Sequence, residues 1–207
     1  MVALVVGFDL DMTLVDSRPG ILATISALEI DSGAPLGDPE TLLDELLRRN
    51  LDLVFAGRFS PGDATALADR FRALYADHGV PGTHLLPGAR EAVDAVRTAG
   101  GRTIVVTAKY EPNALRCLDH VGIEVDEVFG WRYADGKATT LAETGAALYL
   151  GDTPNDVRAA VAAGAKMVAV TTGPHEEHEL RAAGAETILS SLTEFPDWFG
   201  TWLSARA

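Results

Sequence analysis

Short aliphatic runs, each breaking into polar residues, recur along the chain at Val2–Phe8, Thr103–Thr107, Ala147–Leu150 and Met167–Thr171, with a weaker one at Glu186–Leu189. Apolar residues occupy neighbouring positions in these runs, which suits strands covered on both faces rather than strands with one wet side. Between them lie helical patterns at Ala89–Ala99, Pro112–Val121, roughly Ala138–Glu143, Pro154–Ala163 and Glu176–Ala183. Strand and helix alternating in this way predict an α/β protein built on a doubly wound, Rossmann-like parallel sheet. Ligands of such sheets bind beyond the carboxyl ends of the strands.

The alternation stops between Ser17 and about Leu85. Only helical patterns occur there, at Pro19–Ile30, Pro39–Arg49 and Pro61–Ala76, punctuated by Pro35, Gly37, Gly57 and Gly62. A stretch that long is no simple crossover, and it predicts an all-helical cap domain inserted after the first strand and seated over the carboxyl edge. The expected division is a core of residues 1–16 and 86–207 with a cap of residues 17–85, Gly88 marking the return to the core.

Four strand ends carry polar residues that a strand has no need of. They are Asp9 with Asp11, Thr107 with Lys109, the segment containing Lys137, and Asp152 with Asp156. Parallel strands bring these ends to one edge of the sheet, and residues i and i+2 of an extended chain share a face, so Asp9 and Asp11 address one small volume. Close carboxylates repel. A hard divalent cation would hold Asp9, Asp11 and Asp152 together, and an oxygen-only donor set favours Mg²⁺ over zinc or copper.

Charge narrows the partners. With 17 Lys and Arg against 30 Asp and Glu, the formal charge is −13, which disfavours nucleic acid and anionic membranes as partners but not a small anion in a cleft holding a metal. Cys117 stands alone, so no disulfide framework and no cysteine zinc site is expected, and a reduced, cytoplasmic setting is the simplest one. Met1–Gly7 is too short to span a membrane and lacks a basic leader.

In order along the chain, "DLDMT", "VVTAK", Lys137 and "GDTPND" match four motifs of one family, with a helical insert after the first. The sequence resembles the haloacid dehalogenase superfamily, in its phosphoglycolate phosphatase-like branch. That resemblance implies a Mg²⁺-dependent phosphatase of a small phosphorylated metabolite, working as a monomer or small homo-oligomer. Asp9 would attack phosphorus and become an aspartyl phosphate. Asp11 would protonate the leaving alcohol and later deprotonate water, its backbone carbonyl binding Mg²⁺. Asp152 would ligate the metal, and Asp156 would ligate it or support the ligands. Thr107 would hydrogen-bond the phosphoryl group, and Lys137 would hold that group and Asp9. Thr107, Ala108, Lys109 and Arg18 are the expected substrate contacts, with Arg48, Arg49 and Arg58 as further cap candidates for a second anionic group.

A carboxylate brought to about 4 Å from one unit of phosphate charge is opposed by roughly 4 kcal/mol at an effective dielectric of about 20, so cations are required. Lysine occurs only at 109, 137 and 166, against fourteen arginines, and Lys109 is the rival of Lys137 for the cationic role. Asp11 argues against alkyl-halide displacement, because a halide leaves without a proton and an alkoxide does not. Three positions depart from the family pattern: Met12 stands where Gly is frequent, Ala108 where a polar residue or Gly is, and Ala138 where Pro is.

Plainer readings exist for the same residues. Asp9 and Asp11 would also suit a turn closing a strand, and Thr153, Pro154 and Asp156 would suit the start of a helix. Asp16 and Ser17 read as caps of the first insert helix, and "HEEHE" at His175–Glu179 as a solvated helix start. Rival functions on these motifs are a sugar-phosphate phosphomutase, a phospho-accepting receiver domain and a catalytically silent binding domain.

Overall fold

The structure, a computed structural model, describes residues 4–206. Six strands form one parallel sheet: β1 (Val5–Phe8), β4 (Arg102–Val106), β5 (Glu127–Phe129), β6 (Leu148–Gly151), β7 (Lys166–Val170) and β8 (Thr187–Leu189). Their spatial order is β5-β4-β1-β6-β7-β8. The chain therefore builds outward from β1 in one direction, returns, and builds outward in the other. Such a reversal leaves a crevice at the carboxyl end of β1. All five expected runs are strands; Val2 and Ala3 of the first lie outside the described residues.

Both faces of the sheet are covered. On one face Val6, Phe8, Val105, Leu148 and Val168 pack with Ala92, Val93 and Val96 of α5 (Ala89–Thr98). Cys117 of α6 (Glu111–Val121) and Phe195 and Phe199 of α10 (Phe195–Ser204) join that cluster. On the other face Val5, Ile104, Val106, Tyr149 and Met167 pack with Leu141 of α7 (Asp135–Thr144), Val157 and Ala160 of α8 (Pro154–Ala163) and Leu180 of α9 (Glu177–Ala182). Successive strand residues join opposite clusters, as side-chain alternation requires. The same alternation turns Asp9 toward the α7 and α8 side.

Between the first and second core strands the chain forms α1 (Arg18–Ser32), α2 (Pro39–Arg48), α3 (Leu51–Ala56) and α4 (Pro61–His78). Ser17 and Ser60 precede helices that begin with proline in their first turn, and Asp38 caps α2 by accepting from the Thr41 amide at 2.8 Å. The helical block is entered and left through a two-stranded antiparallel ribbon, β2 (Val15–Asp16) against β3 (His84–Leu85). The two crossings of the chain are thus tied side by side. Each strand of the ribbon is two residues long, too short to show a period in sequence. No helix among the described residues is long and apolar enough to cross a membrane.

Candidate active site

Asp9 leaves the end of β1 buried, and two flanking elements converge on it. Lys137 lies in the first turn of α7, not in a turn before it, because the helix already begins at Asp135. Its ammonium stands 3.0 Å from Asp9 and 2.6 Å from Asp156. Burial alone would depress this lysine, yet the two carboxylates hold its pKa above the ordinary value. Lys137 is therefore a fixed cation in a buried site.

Asp156 is fully engaged. Beyond Lys137, its carboxylate accepts from the Tyr149 hydroxyl at 3.2 Å and from the Thr153 hydroxyl and amide at 2.6 and 3.1 Å. The Asp156 amide in turn donates to the Thr153 hydroxyl, so a helix-capping pair and a lysine anchor share one side chain. The Tyr149 hydroxyl shares its one proton between Asp156 and the nearer Val106 carbonyl at 2.7 Å, which ties β6 to β4. Sequence reasoning missed Tyr149; the signal was a hydroxyl in an aliphatic run, where a buried phenol needs a partner.

Asp152 closes the group. It is buried, accepts from Thr13 at 3.2 Å, and lies so close to Gly173 that a Cβ there would fall 1.7 Å from its Oδ2. One oxygen from each of Asp9, Asp152 and Asp156 lies within 4.8 Å of the others. Burial pushes Asp9 up to about 6 even against the pull of Lys137, and pushes Asp152 well above the ordinary carboxylate range. Asp9 Oδ1 is buried without a well-directed hydrogen bond, although Lys137 is near. Three buried carboxylates facing one lysine, all donors oxygen, fit a hard divalent cation such as Mg²⁺. The lone pairs of Asp156 are already taken, so Asp9 and Asp152 have the carboxylate oxygens free to hold it. Gly173→Ala is expected to rotate Asp152 out of place and to weaken any divalent-cation binding at this site at least about tenfold with the fold retained; isothermal titration checks this.

Asp11 stands apart from the trio. Its carboxylate pairs with Lys109 at 2.8 Å, and that ammonium lies 4.0 Å from the ring centre of Tyr75, from α4. Lys137 and Lys109 are thus not competitors: each serves a different aspartate. Thr107 is buried at the end of β4, its amide donating to the Phe129 carbonyl and its hydroxyl accepting from the Lys109 amide. Asp9, Asp11, Thr107, Ala108, Lys137 and Asp152 line one cleft, closed from the other side by Leu46, Arg48 and Arg49 of the helical block.

Arg18 is drawn elsewhere. Asp16, two residues away, takes its guanidinium at 2.6 and 2.9 Å, and Arg18 lines a neighbouring depression with Glu40 and Pro174 instead of the cleft of Asp9. Arg58 is occupied by Glu45 and the Leu36 carbonyl. Arg48 reaches from α2 to the Pro174 carbonyl at 2.6 Å, holding the helical block to the loop after β7 beside His175. Of the four arginines considered, Arg49 faces the cleft without an ion pair among the described residues.

Among the described residues, three non-glycine residues have positive φ: Met12 at 59°, Trp131 at 53° and Ala134 at 46°. All three border the cleft or its extension. The left-handed backbone at Met12 explains why glycine is at home in that motif position, and strain of this sort collects at functional sites.

Residues 6–161 match the family model described as haloacid dehalogenase-like hydrolase. The chain belongs to this family. A second hydrolase-like model matches residues 133–195. The phosphoglycolate phosphatase of Caulobacter vibrioides is 31% identical, over 92% of this chain and 88% of its own. A protein of Mycobacterium tuberculosis named tyrosine-protein kinase PtkA is 34% identical over 80% of this chain, which spans 61% of its length. A haloacid dehalogenase-like family protein of Streptococcus pneumoniae, SP0104, superposes with a TM-score of 0.81 at 22% identity, covering 95% of this chain and 98% of its own. In haloacid dehalogenase terms, the six-stranded sheet is the expected core fold.

Proposed function

We propose that this hydrolase is a Mg²⁺-dependent phosphatase of a small phosphomonoester, acting through an aspartyl phosphate on Asp9, with residues 17–85 as its cap. The observation that carries this reading is the environment of Asp9: a buried carboxylate at a strand end, held by Lys137 at 3.0 Å, with Asp11 two residues on in the same cleft. The similarity to phosphoglycolate phosphatases supports it.

An oxygen of Asp9 attacks phosphorus in line while the bond from phosphorus to the ester oxygen breaks. Lys137 orients that carboxylate and offsets the charge that builds on the phosphoryl oxygens. Thr107 offers its hydroxyl proton to the same oxygens. Asp11 delivers a proton to the departing alkoxide, then takes one from the water that cleaves the aspartyl phosphate. Its pairing with Lys109 must loosen for the first of these transfers, and the arriving phosphoryl oxygens give that ammonium an alternative partner. Asp9, Asp152 and the Asp11 carbonyl would hold Mg²⁺, which when bound adds positive charge against the phosphate and brings it toward the nucleophile.

The rival reading passes the phosphoryl group to an acceptor other than water. It draws on the relative named tyrosine-protein kinase PtkA and on a putative β-phosphoglucomutase of 22% identity and TM-score 0.72. A screen of phosphorylated metabolites with Mg²⁺ and catalytic amounts of protein separates the two. Many equivalents of inorganic phosphate are expected; a phosphorylated isomer or acceptor in place of free phosphate would defeat hydrolysis.

A further inference from the structure

The space beyond Asp11 has a lining that phosphoryl chemistry alone does not require. A cavity of about 120 Å³ opens between the core and the helical block. Asp11, Arg49 and Ala108 line both it and the cleft of Asp9, so the two are continuous. Its apolar wall is Ile21, Leu46, Leu51, Phe71, Tyr110 and Trp131; Asn50, Arg72 and Asn113 add polar groups, and Lys109 and Asp11 line it as well. Two carbons and a carboxylate would leave much of it as water against apolar walls, an unfavourable arrangement.

Two of its three cations are already paired. Lys109 is engaged by Asp11 at 2.8 Å. Arg72 is held by Asp52 and Asp69 at 2.5 and 3.0 Å, its guanidinium 5.2 Å from the Trp131 ring centre, where it stiffens the wall. Arg49 is exposed at the rim. Trp131 is the more telling residue. A bulky side chain at φ 53° is a steric outlier that its surroundings must hold, and Tyr110 packs on it with ring centres 5.2 Å apart. The residue nevertheless remains 57% exposed, leaving an aromatic surface available to a ligand.

We propose that the substrate is the phosphomonoester of an arylalkyl alcohol or one of similar bulk and planarity, its ring lying among Trp131, Tyr110 and Phe71 while its phosphoryl group meets Asp9. The proposal rests on the phosphatase reading. Water replaces the alcohol on phosphorus, and the alcohol oxygen leaves with the proton from Asp11.

The test compares kcat/KM for 2-phenylethyl phosphate, ethyl phosphate and 2-phosphoglycolate in the presence of Mg²⁺. The first two alcohols leave with similar acidity, so their ratio reports the ring. Phenylethyl phosphate is expected to exceed each of the others by about 30-fold, and Trp131→Ala to shrink the phenylethyl-to-ethyl ratio at least about fivefold. Binding is read separately, without turnover: 3-phenylpropylphosphonate, but not propylphosphonate, should change tryptophan fluorescence, and Trp131→Phe should abolish that change. Equal rates on ethyl phosphate, or faster hydrolysis of 2-phosphoglycolate, would overturn the substrate class and leave the phosphatase standing. Aryl phosphonate binding with no hydrolysis of any ester would support the pocket and overturn the phosphatase. Neither binding nor hydrolysis would overturn both.

Discussion

Asp9→Asn is expected to lower kcat by about four orders of magnitude or more, because an amide oxygen is a poor nucleophile toward phosphorus. The protein should stay folded. Asparagine keeps the volume, and Lys137 keeps Asp156 at 2.6 Å as its partner. Stability should respond in a direction that a merely structural aspartate would not give. Burial raises Asp9 from 3.8 to about 6, so the folded state binds the proton more tightly than the unfolded chain does. That contribution is fully present below about pH 4 and is lost as pH rises through 6; two units correspond to about 3 kcal/mol. Chelated wild-type protein should accordingly lose stability between pH 4 and 7, with Asp152, also raised by burial, adding in the same direction. Asp9→Asn should flatten the profile by the Asp9 share and make the chelated protein more stable at pH 7. Urea unfolding at both pH values, beside steady-state kinetics, measures both effects; a variant that unfolds, or that turns over normally, would refute the assignment.

Lys137→Met should give the largest loss of stability. It removes the one ammonium within ion-pair distance of Asp9 and Asp156 among the described residues and leaves carboxylates buried without it. Breaking one partner out of a buried pair costs about 3–5 kcal/mol. Because the cost comes from ionised carboxylates, it should shrink at low pH, where they protonate, and shrink at pH 7 when Mg²⁺ is supplied. Turnover should fall by about two to three orders of magnitude even in the folded, metal-loaded variant, since methionine offers the phosphoryl oxygens no charge. Denaturation with and without Mg²⁺ separates these components. A variant destabilised equally at every pH would mean that Lys137 acts through packing alone.

The parallel sheet was legible because its strands are buried on both faces and end in polar residues the strands do not need. Asp9, Thr107 and Asp152 could be gathered from the strand-end rule without knowing strand order. What the sequence could not show was pairing. Lys109 turns to Asp11 because β4 lies beside β1, and Lys137 to Asp156 because α7 packs against α8, neighbour relations invisible in a linear chain. The ion pair of Arg18 with Asp16 was overlooked for a simpler reason: a carboxylate two residues away captured an arginine considered for substrate. Short elements also escaped. The edge strand β5 has three residues and helix α3 six, below the length at which a period declares itself. Helix α10 was missed because Pro196, Gly200 and two tryptophans interrupt its pattern; Phe195 and Phe199 nonetheless bury its inner face.

The measurement closest to the central claim is a single turnover quenched in acid, digested and mapped by mass spectrometry. Phosphate esterified to the peptide that contains Asp9, appearing and decaying faster than steady-state turnover and absent from Asp9→Asn, is the predicted result. Phosphate released with no covalent adduct at any time, or an adduct on another residue, would contradict it.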